Sequence, residues 1–130
     1  MVRRLDPIVA EVSTMSDSLL RYRERTTQIA ERMRALGQSQ PELMSAFGAL
    51  GAAGTKDGAL TKKTRELIAL GIAISSRCDD CIGFHMRALI KLRATREEIE
   101  EVAGVAVYMG GGPSMMYPVH ASIAFDELSA

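Results

Sequence analysis

The chain lacks the features that would place it in several large classes. No stretch approaches the ~20 apolar residues of a membrane span. Its opening, MVRRLDPIVAEVSTMSDS, carries basic residues but no long apolar run and no small-residue cleavage site. Neither a signal peptide nor a membrane anchor is expected, and the expected compartment is the cytoplasm. Charge of one sign is missing as well: 16 Lys and Arg balance 16 Asp and Glu, so no global field favours nucleic acid or an anionic bilayer. Strand-like alternation, low-complexity tracts and internal repeats are also missing. Cysteine is scarce, with 2 residues in a chain of 130. A chain of this size buries roughly two-thirds of its unfolded surface, so it needs neither a disulfide nor a metal to fold. In a reducing compartment a lasting structural disulfide is not expected either.

What remains is an ordinary globular composition, 47% hydrophobic and 25% charged, patterned for helices. Asp6-Pro7 is a helix start, with Asp as N-cap and Pro in the first turn. Apolar residues then fall at Ile8, Val12, Met15, Leu19, Tyr22, Ile29, Met33 and Leu36, with Thr26 the one break. That spacing is the seam of a coiled coil. A continuous helix of this length would span ~43 Å at 1.5 Å per residue, too long for a small domain to cover. Residues 1–37 are therefore read as a long helix that serves packing or oligomerisation, with Gly37 as its C-cap. Residues 38–130 are read as a second, compact helical unit.

Within that unit, QSQPEL restarts a short helix through Phe47. The Gly-rich GALGAAGTKDGAL reads as a turn region, and Thr61 caps the next helix. The run TKKTRELIALGIAISS reads as a helix buried almost all round, with Glu66 at the edge of its apolar part. Thr95 and Glu98 form a capping box before a helix that ends at Gly110, Gly111 and Gly112. Pro118 stands near the start of the last helix.

Both cysteines lie in SSRCDDCIGFHMRAL, as Cys78-x-x-Cys81 with His85 four residues on. On one helix these positions line a single face, which puts the imidazole one turn from Cys81. With Ser76 as N-cap, Cys78 would meet free backbone N–H groups that favour a thiolate. Asp79 and Asp80 work against the thiolates while favouring the helix start. Three readings stand: a redox dithiol in which one thiolate attacks and the other resolves; a zinc site of Cys78, Cys81 and His85 completed by Glu66 or His120; or inert core packing. No second Cys-x-x-Cys exists to close a structural zinc site. His120 itself has no supporting motif and reads as structural or surface. Among the eight methionines, Met109, Met115 and Met116 flank the glycine loop; the plain reading is adaptable core filler, the alternative a pocket for an organic hydroperoxide.

The string RELIALGIAISSRCDDCIGFH, with Glu66 twelve residues before Cys78, resembles the carboxymuconolactone decarboxylase-like superfamily in its alkyl hydroperoxide reductase D-like branch. PELMSAFGAL, GALTKKTRELIAL, ATREEIEEV and MGGGPSMMY extend the likeness from about Pro41 to the end. The resemblance implies an all-α fold of about six helices, with trimers or hexamers built by helix packing. It implies a cofactor-free thiol peroxidase or disulfide reductase, with Cys78 and Cys81 as the redox pair and Glu66 and His85 as the proton relay; no metal is called for. The substrate would be an organic hydroperoxide or small disulfide, and the reductant a thioredoxin-like or lipoyl-bearing protein. His85 favours Cys81 as the attacking thiol, because peroxide reduction needs a base beside it, whereas exposure at the helix start favours Cys78 as the first to meet a protein or small-molecule disulfide.

Three positions depart from the family. Asp80 replaces the histidine that its best-known peroxidases carry before the second cysteine, Arg93 replaces a glycine at a helix-to-helix turn, and Pro118 follows the glycine loop. Two other functions stand beside the peroxidase. One is a lactone decarboxylase, which needs acid–base groups but no thiols. The other is a non-enzymatic helical assembly whose cysteines sense redox state or hold zinc.

Overall fold

The structure, a computed structural model, describes residues 21–130 apart from the side chains of Pro113 and Ser114. Six α-helices form these residues: α1 Tyr22–Ser39, α2 Pro41–Thr55, α3 Lys62–Ser75, α4 Asp79–Lys91, α5 Arg96–Gly110 and α6 Tyr117–Ser129, with a single 3₁₀ turn, Gly112–Met115, between the last two. The expected all-α class is observed. The seam positions from Ile8 to Leu19 lie outside the described residues.

Helices α3, α4, α5 and α6 pack around one core, α1 lies across α4 and α6, and α2 folds back on α1 and touches α3. Leu70 and Ile74 of α3 meet Ile82, Met86 and Leu89 of α4 there, all fully buried. Each such side chain contributes on the order of 2 kcal/mol by leaving water. Ala103 and Ala106 of α5 and Ala121 and Ala124 of α6 complete the core, their small side chains allowing close helix approach.

The seam of α1 is buried only in its first two turns. Tyr22 and Thr26 are sealed, whereas Met33 and Leu36 are exposed. Thr26, the break in the apolar pattern, is tolerated in the core because its hydroxyl donates to the Tyr22 carbonyl at 2.7 Å.

Four sequence expectations are corrected. Gly37 does not end its helix; α1 runs on to Ser39, and Pro41 opens α2. The Gly-rich stretch is not a turn up to Thr61: α2 continues to Thr55 through Gly48, Gly51 and Gly54. Its C-terminal carbonyls, at Ala53 and Gly54, accept from the Arg65 guanidinium at 3.3 and 3.4 Å, a cap supplied from α3 that local sequence does not reveal. Helix α3 is not buried all round, since Ile68 and Ile72 face outward. Ser76 is not an N-cap; it closes α3, and Cys78 itself caps α4. The Thr61 cap, the Thr95–Glu98 capping box and Pro118 in the first turn of α6 are observed as expected.

Two helices end on a left-handed arginine. Arg77 (φ 56°) follows α3 and Arg93 (φ 60°) follows α4. In each case two N–H groups turn back to the last carbonyls: Arg77 to Ile74 and Cys78 to Ala73, then Arg93 to Ile90 and Ala94 to Leu89. This is the Schellman closure, which glycine fills without steric cost. A side chain in that conformation costs about 1 kcal/mol. Arg93→Gly is therefore expected to raise unfolding stability by about 0.5–1 kcal/mol, measured by urea denaturation.

Candidate active site

The closure at Arg77 places the dithiol. Cys78 ends the Schellman turn of α3 through its N–H and begins α4 as N-cap, so the backbone between the helices has no slack at the first cysteine. Its sulfur accepts from the Cys81 N–H at 3.2 Å, the place an N-cap oxygen usually fills. Cys78 and Cys81 are joined as a disulfide, with Cα atoms 5.2 Å apart. The helix-terminal N–H groups thus act on Cys78, while Cys81 packs against the core.

Glu66 and His85 come together from α3 and α4. Glu66 Oε2 lies 2.6 Å from His85 Nδ1. Glu66 is 5% exposed, and a buried carboxylate of this kind requires such a partner. Since an ionised carboxylate only accepts, Nδ1 carries the proton and Nε2 is the nitrogen left for proton exchange. The two residues reach one another because α3 and α4 pack antiparallel-wise across the tight turn at residues 76–78, not because of local spacing; they are 19 residues apart in the chain.

Asp80, in the position where a histidine was the family expectation, turns toward α1. Its Oδ1 is 2.5 Å from Arg25 Nε. The Asp80 hydrogen bond holds the Arg25 guanidinium above its ordinary range, and the pair draws that carboxylate's charge into an ion pair with α1.

Sequence reasoning missed a second cluster. Asp79 Oδ1 accepts from the Tyr22 hydroxyl at 2.6 Å and lies 2.8 Å from His120 Nδ1. Tyr22 reads in the sequence as one more seam residue and His120 as an isolated histidine. Nothing local marks either, because 57 and 41 residues separate them from Asp79.

Other expectations fall away. Met115 and Met116 are exposed rather than core filler, and so is Met109. Met109 does line an apolar groove of about 690 Å³ between α3 and α5, with Ile68, Ile72, Val102 and Val105, but Glu66, Cys78, Cys81 and His85 are not part of its wall. Among the described residues no three His, Cys, Asp or Glu side chains gather in a metal-holding arrangement, so the zinc reading finds no ligand set there. No helix among them is long and apolar enough to cross a membrane.

Comparison with known proteins agrees with this architecture. Residues 41–123 match the model of the carboxymuconolactone decarboxylase family. An uncharacterized protein of Cupriavidus necator is 45% identical over 106 residues, covering 82% of this chain and 94% of that protein. A solved carboxymuconolactone decarboxylase family protein of Legionella pneumophila superposes with TM-score 0.82 at 50% identity, covering 84% of this chain and 97% of that one. A family member from Thermotoga maritima, for which a part in antioxidative response has been suggested, gives TM-score 0.68 at 30% identity over 78% of this chain and 89% of its own. With the family model spanning most of the described residues and these relatives alongside, the chain belongs to the carboxymuconolactone decarboxylase family.

Proposed function

We propose that the protein is a thiol-dependent oxidoreductase that reduces organic hydroperoxides through the Cys78–Cys81 couple. The observation that carries the reading is the Glu66–His85 pair, in which a buried carboxylate on α3 holds an imidazole on α4, the helix that carries both cysteines at its start. A carboxylate bonded to Nδ1 fixes the ring tautomer and steadies the imidazolium, which is what a general acid–base residue needs.

The reaction divides into two steps. With Cys81 as attacking thiolate, its sulfur takes the terminal peroxide oxygen, the O–O bond breaks, and His85 delivers the proton that lets the alcohol leave. Cys81 is then a sulfenic acid. The Cys78 thiolate, stabilised by the α4 N-terminus, attacks that sulfur; the S–S bond forms and the hydroxyl leaves as water with a second proton. Two thiols and one hydroperoxide thus give one disulfide, one alcohol and one water. Thiol–disulfide exchange with a thioredoxin-like or lipoyl-bearing protein returns the dithiol. The exposed apolar residues of α2 and α5 (Phe47, Leu50, Val105 and Tyr108 among them) support a homo-oligomeric assembly in which such surface is covered.

The test is a titration of free thiols in the reduced, metal-free protein before and after about one equivalent of cumene hydroperoxide. Both thiols are expected to disappear together, with no covalent dimer, and Cys81→Ser is expected to leave its remaining thiol intact. Survival of both thiols in the unsubstituted protein would sink the peroxidase. Lactone decarboxylation that persists after both cysteines become serine would establish the other family chemistry instead.

A further inference from the structure

Two carboxylate–imidazole pairs include a residue of α4, the helix that carries the dithiol at its start, and the reaction above uses one of them. The other is Asp79 with His120. Asp79 directly follows Cys78 and is the first residue of α4, so its carboxylate sits at the helix start whose N–H groups favour a Cys78 thiolate. It opposes that influence, because negative charge beside a thiol disfavours ionisation.

The carboxylate is tied, however, from two other helices. Tyr22 on α1 donates to Oδ1 at 2.6 Å, and His120 on α6 meets the same oxygen through Nδ1 at 2.8 Å. Asp79 is 17% exposed at its side chain and Tyr22 is fully buried. Burial, and then the bond to Asp79, push the Tyr22 hydroxyl well above its usual range, so it remains a donor. The Tyr117 ring lies against the His120 ring with centroids 4.7 Å apart, fixing the imidazole from its own helix. The other charged groups around the cluster are Arg25 and Asp80, paired with one another, and Glu127 on α6, which accepts from the Arg23 N–H. Each donor on Asp79 draws negative potential out of the carboxylate and directs it toward α1 and α6.

We propose that Tyr22 and His120 are positioning residues of the dithiol, which anchor Asp79 and hold its charge off Cys78 so as to set the reduction potential of the Cys78–Cys81 couple. The proposal deepens the dithiol reading and rests on it. The relevant equilibrium is disulfide plus two glutathione thiols giving dithiol plus glutathione disulfide. Anything that stabilises a Cys78 thiolate moves it toward the dithiol and makes the couple more oxidising. Loss of a donor from Asp79 does the reverse.

The experiment equilibrates the protein in glutathione buffers at about pH 8, where thiolate is populated, and counts alkylated thiols by mass. His120→Gln is expected to shift the equilibrium constant toward the disulfide by about threefold to tenfold, with Tyr22→Phe moving it the same way. Asp79→Asn is expected to shift it in the opposite direction. In the Asp79→Asn background, His120→Gln should have no further effect, since it acts only through that charge. An equal shift in both backgrounds, as from a merely structural role, or no shift in either, overturns the proposal. Should His120→Gln fail to fold, Tyr22→Phe completes the same cycle with the ring packing kept. Neither arm involves a peroxide, so failure of the peroxidase leaves this coupling intact and measurable.

Discussion

Glu66→Gln is expected to slow hydroperoxide reduction by about 100-fold or more, the usual worth of a positioned acid–base group. Glutamine fills the same volume in the core, so the helices should pack unchanged. What is lost is the charge at 2.6 Å from His85 Nδ1. An amide can hold the ring in either tautomer, and it does not steady an imidazolium. His85→Ala should lower the rate by a similar factor, and the double variant should be little worse than either, because the two side chains act as one unit. Steady-state hydroperoxide consumption with dithiothreitol as reductant reads the effect directly. Exchange of the Cys78–Cys81 bridge with a small dithiol needs no peroxide oxygen to be protonated, so it should fall far less. A Glu66→Gln protein with undiminished peroxide consumption would remove the relay from the mechanism.

The second large effect is structural. Gly83 stands on α4 two residues after Cys81, where α1 crosses. A Cβ at this position would lie 2.7 Å from Thr26 Cγ2 and 3.1 Å from Tyr22 Cδ1, closer than either atom can be approached without movement. Both neighbours are fully buried and cannot swing into solvent. Gly83→Val is expected to destabilise the fold by about 2–3 kcal/mol through overpacking, which lowers the thermal midpoint by roughly 10 °C in a chain of this length. Gly104 on α5 is the control, since a Cβ there meets nothing within 4 Å. Gly104→Ala should stabilise by up to about 1 kcal/mol from helix propensity alone. Equal thermal midpoints for Gly83→Val and the unsubstituted protein would show that α1 does not rest on α4 as described.

The contrast between those two glycines indicates what the sequence can and cannot disclose. Both sit inside helices whose existence the apolar periodicity makes plain, and the all-helical class follows from that periodicity. The Thr61 cap and the Thr95–Glu98 box are legible for the same reason, because caps are made by residues three apart. Which glycine is a contact and which is open surface depends on the helix across from it, and no local pattern carries that. The end of α2 depends on Arg65 reaching back over the turn, and the outward faces of Ile68 and Ile72 look in the sequence like any other apolar residues. The site divides likewise. Cys78, Cys81 and His85 announce themselves through spacing on one helix, and Glu66 through its likeness to a family. Tyr22 and His120 reach Asp79 only through tertiary packing of α1 and α6 on α4, so they stayed hidden.

Helix α2 has a consequence of another kind. None of its residues is buried, and Leu43, Phe47 and Leu50 are all exposed. Because these side chains leave little water on folding, exchanging them for polar ones would cost a lone chain almost nothing and would improve its solubility. Selection that acts through the stability of the single chain therefore has no hold on them. A pressure for leucine and phenylalanine at these three positions can therefore act only from outside the chain's own core.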